Sequence, residues 1–187
     1  MTDPKTALLN FLNTYMPIGI LVLFIVMVAL YALYFFKFRH QENSKFIKTF
    51  KNIALPVAFF TTLLAAIMSL VYSDFLGQAP CGLCWLQRIF IYSQVVLYAV
   101  AYLKEDAKIF QYTFWLSVVG GLIAIYHEWL QLGYSELIPC PATPGLVDCA
   151  KPTFISFGFV TMPFASLTVF LVIIFLSLII NKKSKAE

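Results

Sequence analysis

The chain has four cysteines, which fall into two pairs and are the residues with the clearest capacity for chemistry. Cys81 and Cys84 have two residues between them, which is the spacing of disulfide oxidoreductases. Cys140 and Cys149 have eight residues between them, including two prolines and one glycine that can turn the chain and bring the sulfurs together. A thiolate is the nucleophile in thiol–disulfide exchange, so both pairs are candidates for redox chemistry.

The composition predicts that these cysteines belong to a membrane protein. Of the 187 residues, 61% are apolar and only 12% are charged, whereas ordinary globular domains carry about 25% charged residues. This leaves too little polar surface for a water-soluble enzyme and excludes a disordered tail. The net charge of +4 comes without a basic stripe interleaved with aromatic residues, so we expect no nucleic-acid partner.

Five apolar segments are each long enough to cross the roughly 30 Å hydrocarbon core of a bilayer as a helix. The first has 21 residues without a charge and lacks the basic start and short core of a signal peptide, so we expect it to be retained. Only short connections separate the segments, which predicts an all-α membrane protein without a soluble domain. The predicted spans are Met16 to Phe36, Ile53 to about Ser73, about Trp85 to Leu103, about Tyr112 to Leu132, and about Ile155 to Ile180.

The positions of lysine and arginine predict the orientation of the spans, because short loops rich in these residues stay in the cytoplasm. Ten of the thirteen cations follow the first, third and fifth spans. We therefore expect the N-terminus and both cysteine pairs on the extracytoplasmic side. We assign the basic loops no role beyond orientation and contact with anionic lipid headgroups. The ten cations are Lys37, Arg39, Lys45, Lys48, Lys51, Lys104, Lys108, Lys182, Lys183 and Lys185.

Each cysteine pair also has a structural interpretation. For Cys140 and Cys149 alone, a disulfide that staples an extracytoplasmic loop is the commoner arrangement. A zinc site at Cys81 and Cys84 would need two further ligands. Cys140 and Cys149 are separated by more residues than the short spacing usual between paired zinc ligands. A thioredoxin-type fold would need strands that this chain has no room to build. We therefore expect no metal and favour a redox-active inner pair, with the outer pair as its relay partner.

Two further residues are candidates for holding a ligand beside the cysteines. Arg88 lies four residues after Cys84, one turn deeper on the same helix face, where a cation is a functional candidate that could also reach the headgroups. His127 lies near the outer end of the fourth span and could donate to a carbonyl oxygen or deliver a proton. A hydrogen bond between helices is the structural alternative for His127. Its neighbour Glu128 is expected to face water.

The segment from Cys81 to Arg88, CGLCWLQR, followed later by Tyr126-His127, resembles the DsbB family of disulfide bond formation proteins. It is most similar to the BdbC-like members, which have a short second cysteine loop. The order of features agrees, with the inner pair first, then the histidine, then the outer pair, then a last helix. The resemblance covers about Ile53 to Ile180 and implies a four-helix transmembrane bundle.

The resemblance implies a relay of electrons through the two pairs. Cys140 and Cys149 would accept electrons from a DsbA-like thioredoxin-fold thiol oxidase, with Cys140 as the sulfur attacked. Cys81 would exchange with this outer pair, and Cys84 would lie next to a quinone of the membrane pool, either ubiquinone or menaquinone. The residues implied to hold the quinone oxygens are Arg88 and His127.

Two other functions compete with this hypothesis. An enzyme of the vitamin K epoxide reductase type also couples cysteine pairs to a quinone, but in that family the loop pair precedes the Cys-x-x-Cys motif. A non-catalytic membrane assembly or transport protein could use all four cysteines as staples. In that case Cys84→Ser would lower stability without abolishing thiol oxidation.

The chain departs from the family pattern at its N-terminus, because the span Met16 to Phe36 adds a fifth helix to the four-helix bundle. We expect an N-terminal region at 1–52 with this helix and a basic cytoplasmic loop, the bundle at 53–181, and a basic cytoplasmic tail at 182–187. The expected location is the bacterial inner membrane. The outer loop is also short, which bears on how far it moves to meet a partner.

Overall fold

The computed structural model describes residues 4–38, 45–137, 139–140 and 147–181. Within these residues the chain forms five α-helices, each long and apolar enough to cross a membrane. The prediction of an all-α membrane protein is therefore confirmed. Short π-helical segments, Tyr34–Phe38 and Val71–Phe75, extend the first two helices. The helices are α1 (Pro4–Leu33), α2 (Lys45–Leu70), α3 (Gly82–Lys104), α4 (Ile109–Gln131) and α5 (Met162–Asn181).

The last helix begins later than its apolar sequence predicts. Ser156 and Val160 exchange backbone hydrogen bonds of 2.9 and 2.8 Å, and this closes a tight turn before α5. Phe157 and Gly158 within the turn have positive φ angles of 56° and 80°, which a right-handed helix does not allow. Pro163 consequently lies in the first turn of α5, where proline is tolerated. At the other end of the chain, α1 begins well before the predicted start of the first span.

Some sequence predictions concern residues outside the described part of the chain. These are the turn between the outer cysteines at 141–146, the basic tail at 182–187, and Arg39 in the first basic loop.

Hydrogen bonds between helices bring both cysteine pairs to one end of the bundle, here called the cysteine end. Arg88 Nη2 near the start of α3 donates to the Ser69 carbonyl near the end of α2. The Thr161 hydroxyl just before α5 donates to the carboxylate of Glu128 near the end of α4. The cysteine end therefore consists of the ends of α2 and α4 and the starts of α3 and α5.

The interface between α4 and α5 depends on a close approach at one glycine. A Cβ atom added to Gly120 of α4 would lie 2.4 Å from Cζ of Phe170, whose ring is fully buried. Gly121 beside it has ordinary room, because its added Cβ would lie 3.8 Å from the nearest Phe170 atom. Small residues at such points allow membrane helices to pack closely.

Helix α1 packs on the bundle with one face only. The rings of Phe24 and Phe164 lie 5.0 Å apart, and those of Tyr31 and Phe175 lie 4.7 Å apart. Met27 is 5% exposed and belongs to a buried cluster shared with α2 and α5. On the opposite face, Ile25 is 57% exposed, as expected for a side chain that faces lipid.

We expect Gly120→Ala to lower the stability of the protein, because the new methyl group overlaps a ring that has no free space to move into. Overpacking of this kind typically costs about 1–3 kcal/mol. The matched control is Gly121→Ala, which should leave the melting temperature in detergent unchanged or slightly raised. Equal melting temperatures for the two variants would contradict the close packing of α4 on Phe170.

Candidate functional site

The inner cysteines lie at the N-terminus of α3 as two free thiols. Cys81 has an extended backbone, with φ −77° and ψ 174°, and its sulfur accepts a hydrogen bond from the Cys84 backbone N–H at 3.3 Å. The two sulfurs lie 3.1 Å apart. Cys81 therefore occupies the position of a helix N-cap, where exposed amides and the helix dipole favour negative charge. This is the environment expected for a reactive thiolate.

The neighbours of Cys81 stabilise its deprotonated form. The hydrogen bond with the Cys84 side chain is the largest cause, and it holds the pKa of the Cys81 thiol well below its usual range. Burial opposes this shift, while His127 and the Cys84 backbone N–H support it. A thiol whose pKa is lowered in the folded protein is a thiolate at neutral pH and becomes protonated only as the pH falls through the lowered pKa.

The outer cysteines, Cys140 and Cys149, are joined in a disulfide with their Cα atoms 6.1 Å apart. Cys149 is 1% exposed and packs in one buried cluster with Cys81 and Leu130, whereas Cys140 is only partly buried. The backbone N–H of Cys140 donates to Glu136 Oε1 at 2.7 Å. One sulfur of the outer pair thus lies against the inner pair, and the other lies closer to the surface.

His127 joins the two cysteine pairs. Its Nε2 lies 3.5 Å from Cys81 Sγ and 3.2 Å from the Cys149 carbonyl oxygen, and the residue is fully buried. The side-chain amide nitrogen of Gln87 lies 2.9 Å from Nδ1, so the two side chains form a hydrogen bond between α3 and α4. The other ring nitrogen, Nε2, faces the Cys81 sulfur and the Cys149 carbonyl. The contact with Gln87 is also the interhelical hydrogen bond that the sequence left open as an alternative.

Two glutamines complete this network, and the sequence analysis did not single them out. Gln87 of α3 is 4% exposed, and Gln131 of α4 is 7% exposed with its amide nitrogen 3.2 Å from His127 Nε2. Gln131 lies four residues after His127, and therefore on the same helix face. Both are polar residues within apolar spans, and that alone could have marked them as candidates.

The prediction that Glu128 faces water is wrong. Glu128 is 9% exposed, and its Oε2 accepts a hydrogen bond from the Thr161 hydroxyl. The backbone N–H of Phe164 in the first turn of α5 also bonds to this carboxylate. The carboxylate therefore caps a helix that arrives from a distant part of the sequence. Because this partner is more than thirty residues away, the local pattern around Glu128 contained no sign of it.

Arg88 is held between α2 and its own helix. Its Nη2 donates to the Ser69 carbonyl at 2.9 Å, and its guanidinium carbon lies 5.3 Å from the centre of the Trp85 ring. The side chain is 9% exposed, so the cation is buried and oriented by one hydrogen bond and one aromatic face. The predicted position one turn below Cys84 brings both residues to the wall of one cavity.

This cavity has a volume of about 950 Å³ and lies between α1, α2, α5, the start of α3 and the segment 147–153. Its walls are mostly apolar, and Cys84, Gln87, Arg88 and Gln131 line it at the cysteine end. The Oε1 atom of Gln131 is buried without a hydrogen-bond partner. An apolar cavity of this size with a few convergent polar groups is typical of a ligand site. The donors and the apolar walls fit a ring with carbonyl oxygens and a hydrocarbon chain, as a quinone has.

The structure divides the six predicted site residues between two places. Cys81 and Cys84 line the cavity together with Arg88. Cys140 and His127 are not among its lining residues, and His127 instead lies between the two pairs. The sulfurs of the inner pair and a ring nitrogen of His127 lie within 4.8 Å of one another, so these three atoms could also bind a metal ion. Cys149 is bonded to Cys140, and it contributes no fourth ligand.

Comparisons with known proteins all indicate one family, the disulfide bond formation proteins. A family model described as "Disulfide bond formation protein DsbB" matches residues 51–180. The SPbeta prophage-derived disulfide bond formation protein B of Bacillus subtilis is 35% identical over 143 residues, which cover 76% of this chain and 93% of that protein. Disulfide bond formation protein C of the same organism is 33% identical over 136 residues, covering 71% of this chain and 96% of that protein.

One further relative comes from another organism. A probable disulfide formation protein of Chlamydia trachomatis is 38% identical over 140 residues, which cover 74% of this chain and 99% of that protein. No solved structure matches the chain significantly.

We expect the thiolate of Cys81 to persist at neutral and mildly acidic pH in the reduced protein. Removing its largest stabilising partner by Cys84→Ala should raise the titration midpoint of Cys81, and His127→Ala should raise it by less. The ultraviolet absorbance of the thiolate, followed against pH with the outer pair replaced by alanine, measures this midpoint. Glu136→Gln, which changes only a contact of the outer loop, is the control. A midpoint near the ordinary thiol value in the parent protein would contradict the stabilised thiolate.

Proposed function

Since this chain belongs to the DsbB family of disulfide bond formation proteins, we propose that it is a membrane thiol oxidase that reoxidises a soluble DsbA-like thioredoxin-fold protein and passes the electrons to a membrane quinone. The observation that carries the proposal is the position of the inner dithiol. Cys81 packs in one cluster with Cys149 of the outer disulfide, and Cys84 lines the cavity beside Arg88. Electrons that enter at the outer pair thus have a short route to a ligand in the cavity.

In the first step, the reduced partner transfers two electrons to the outer disulfide. A partner thiolate attacks Cys140 Sγ and displaces Cys149 as a thiolate, and the second partner thiol then resolves the mixed disulfide. The partner leaves oxidised, and the outer pair is left as two thiols. The greater exposure of Cys140, compared with the 1% exposure of Cys149, supports Cys140 as the sulfur attacked.

In the second step, the outer pair is reoxidised by an inner disulfide. The Cys149 thiolate attacks Cys81 and displaces Cys84 as a thiolate, after which Cys140 attacks Cys149 and releases Cys81. The products are an outer disulfide and an inner dithiol, which is the arrangement of bonds in this structure. We assign His127 to this exchange, because its Nε2 faces both Cys81 and the Cys149 backbone and, when it carries a proton, stabilises a thiolate at Cys81.

The last step oxidises the inner dithiol at the cavity. A quinone bound there would supply the two-electron acceptor, and it would leave as a quinol with two protons. Arg88 would stabilise negative charge on an oxygen of the ring, an effect that is larger where water is excluded. Its fixed contacts with Ser69 and Trp85 mean that little reorganisation is needed.

This reaction requires the cysteine end to face the oxidising side of the bacterial inner membrane. The distribution of cations supports that orientation, because Lys104 and Lys108 lie between α3 and α4 at the end of the bundle away from the cysteines.

We expect a membrane-impermeant maleimide to label Cys140 when it is added to intact cells whose disulfides have been reduced. A cysteine introduced by Lys104→Cys should react only after the membrane is opened. Labelling of Cys140 only in opened cells would contradict the orientation.

Three substitutions should separate the steps of the relay. Cys84→Ser should abolish quinone reduction driven by a reduced thioredoxin-fold partner, and Cys140→Ala should block transfer from the partner while leaving quinone binding unchanged. Arg88→Ala should lower kcat/KM for quinone by about 10²–10³-fold, the usual cost of removing a group that stabilises developing charge. In a single turnover without quinone, the reduced partner should reduce the disulfides of Arg88→Ala at the same rate as those of the parent protein.

The assay follows quinone absorbance with purified protein in detergent, with a chelator present to keep the inner thiols free of metal. Turnover that survives Cys84→Ser would overturn the relay and favour a protein whose cysteines are only staples.

A further inference from the structure

Helix α1 lies outside the part of the chain that the family comparison covers. The family model begins at residue 51, and between 71% and 76% of this chain accounts for 93% to 99% of the length of the three relatives described above. The relatives therefore have almost no length left for a helix of 30 residues such as α1. Nothing in the relay described above uses α1, yet the helix forms part of the cavity wall.

Contacts at both ends place α1 beside α2. Near the cysteine end, the hydroxyl of Tyr72, just after α2, donates to Asn13 Oδ1 at 2.9 Å. Toward the other end, Met27 belongs to a buried cluster that includes Ala58. The late part of one helix thus lies near the early part of the other, so α1 and α2 run antiparallel. Met16 and Ser69, whose carbonyl accepts the hydrogen bond from Arg88, both line the cavity.

One continuous face of α1 lines the cavity between these anchors. Its residues recur at intervals of three and four, which is the spacing of one helix face. Gly19 lies near the middle of this face, about one turn further along α1 than Met16, and a Cβ added there would meet no atom within 4 Å. Ala65 of α2 and Ala165 of α5 also line the cavity, so small side chains on all three helices leave room for a ligand. The residues of α1 are Leu12, Tyr15, Met16, Gly19, Ile20 and Leu23.

The residues at the cysteine end of the cavity suit a ligand with a polar ring. Gln87 is 4% exposed and Gln131 is 7% exposed, and both line the cavity. Arg88 lines the cavity as well and is buried without a carboxylate contact among the described hydrogen bonds. Asp148 and Lys151, which lie on either side of Cys149, also line it. Beside Gly19 the cavity is lined by Ile20, Leu23 and Ala65, which are apolar.

We infer that α1 is the specificity-determining wall of the quinone site, with Gly19 leaving the space in which the hydrocarbon chain of the quinone lies. This inference rests on the proposed function, because it takes the quinone as the occupant of the cavity. The ring lies at the level of Cys84 and Arg88, and the chain extends inward along α1. A large side chain at position 19 therefore excludes the chain of the quinone while leaving the ring position free.

The test compares Gly19→Trp with Ile18→Trp in protein embedded in nanodiscs. Ile18 is next to Gly19 at nearly the same depth but does not line the cavity and is 46% exposed. Equilibrium binding of decylubiquinone, which has a chain, and of menadione, which has none, is measured without a partner or turnover. We expect Gly19→Trp to weaken decylubiquinone binding by about tenfold or more, which corresponds to about 1.4 kcal/mol. Menadione binding should change less than about twofold, and Ile18→Trp should bind both probes as the parent does.

The results distinguish this inference from the proposed function. If the parent protein binds neither probe, both the inference about α1 and the proposed function are wrong. If the parent binds decylubiquinone and Gly19→Trp binds it equally well, the role of α1 fails and the proposed function stands. Equal losses of decylubiquinone affinity in Gly19→Trp and Ile18→Trp would also overturn the role of α1, because they would reflect a general disturbance of the helix.

A second measurement needs no substitution. A decylubiquinone analogue with a photoreactive azide on its chain is cross-linked to the parent protein, which is then cleaved after lysine. We expect the fragment Thr6–Lys37, which contains α1 from its third residue onward, to carry label that excess decylubiquinone displaces. Displaceable label confined to fragments from α2 to α5 would overturn the inference. This result holds even if Gly19→Trp does not fold.

Discussion

The hydrogen bond between Gln87 and His127 is the interaction on which the rest of the site depends. It joins α3 to α4, and it orients the ring so that the other nitrogen, Nε2, faces Cys81 and the Cys149 carbonyl. A buried imidazole nitrogen without a partner would cost roughly 1–3 kcal/mol, so the ring is held by satisfying both nitrogens. Both cysteine pairs are thereby held against one rigid group, although they belong to separate parts of the chain.

The same requirement explains the other buried polar residues at the cysteine end. Within a bilayer, water cannot satisfy a carboxylate, a guanidinium or a free backbone amide. Glu128 meets the amide of Phe164 at the start of α5 and the hydroxyl of Thr161, and Arg88 meets the carbonyl of Ser69. Each of these contacts joins two helices, so the polar groups that suit redox chemistry also determine how the helix ends fit together.

The inner cysteines line the cavity and the outer cysteines do not, although Val147 and Asp148 beside Cys149 do. Charge stabilisation by Arg88 is strongest where water is kept out, because the effective dielectric constant is then low. The bundle closes this space on one side, and α1 closes it on another through its contacts with Tyr72, Phe164 and Phe175. An added helix thus changes the surroundings of a site whose reactive groups all lie on other elements.

The sequence by itself determined the five spans and the family, because apolar length and the pattern from Cys81 to Arg88 are local properties. It also singled out all four cysteines, Arg88 and His127. Only the tertiary structure decided which groups meet: that His127 lies between the pairs, that Glu128 is buried against Thr161, and that Gly19 of α1 faces the cavity. The hydrogen bonds join residues between 22 and 46 positions apart, and the cavity wall combines residues from separate helices. Such pairings arise from satisfying buried polar groups and packing helices together, and no local pattern encodes them.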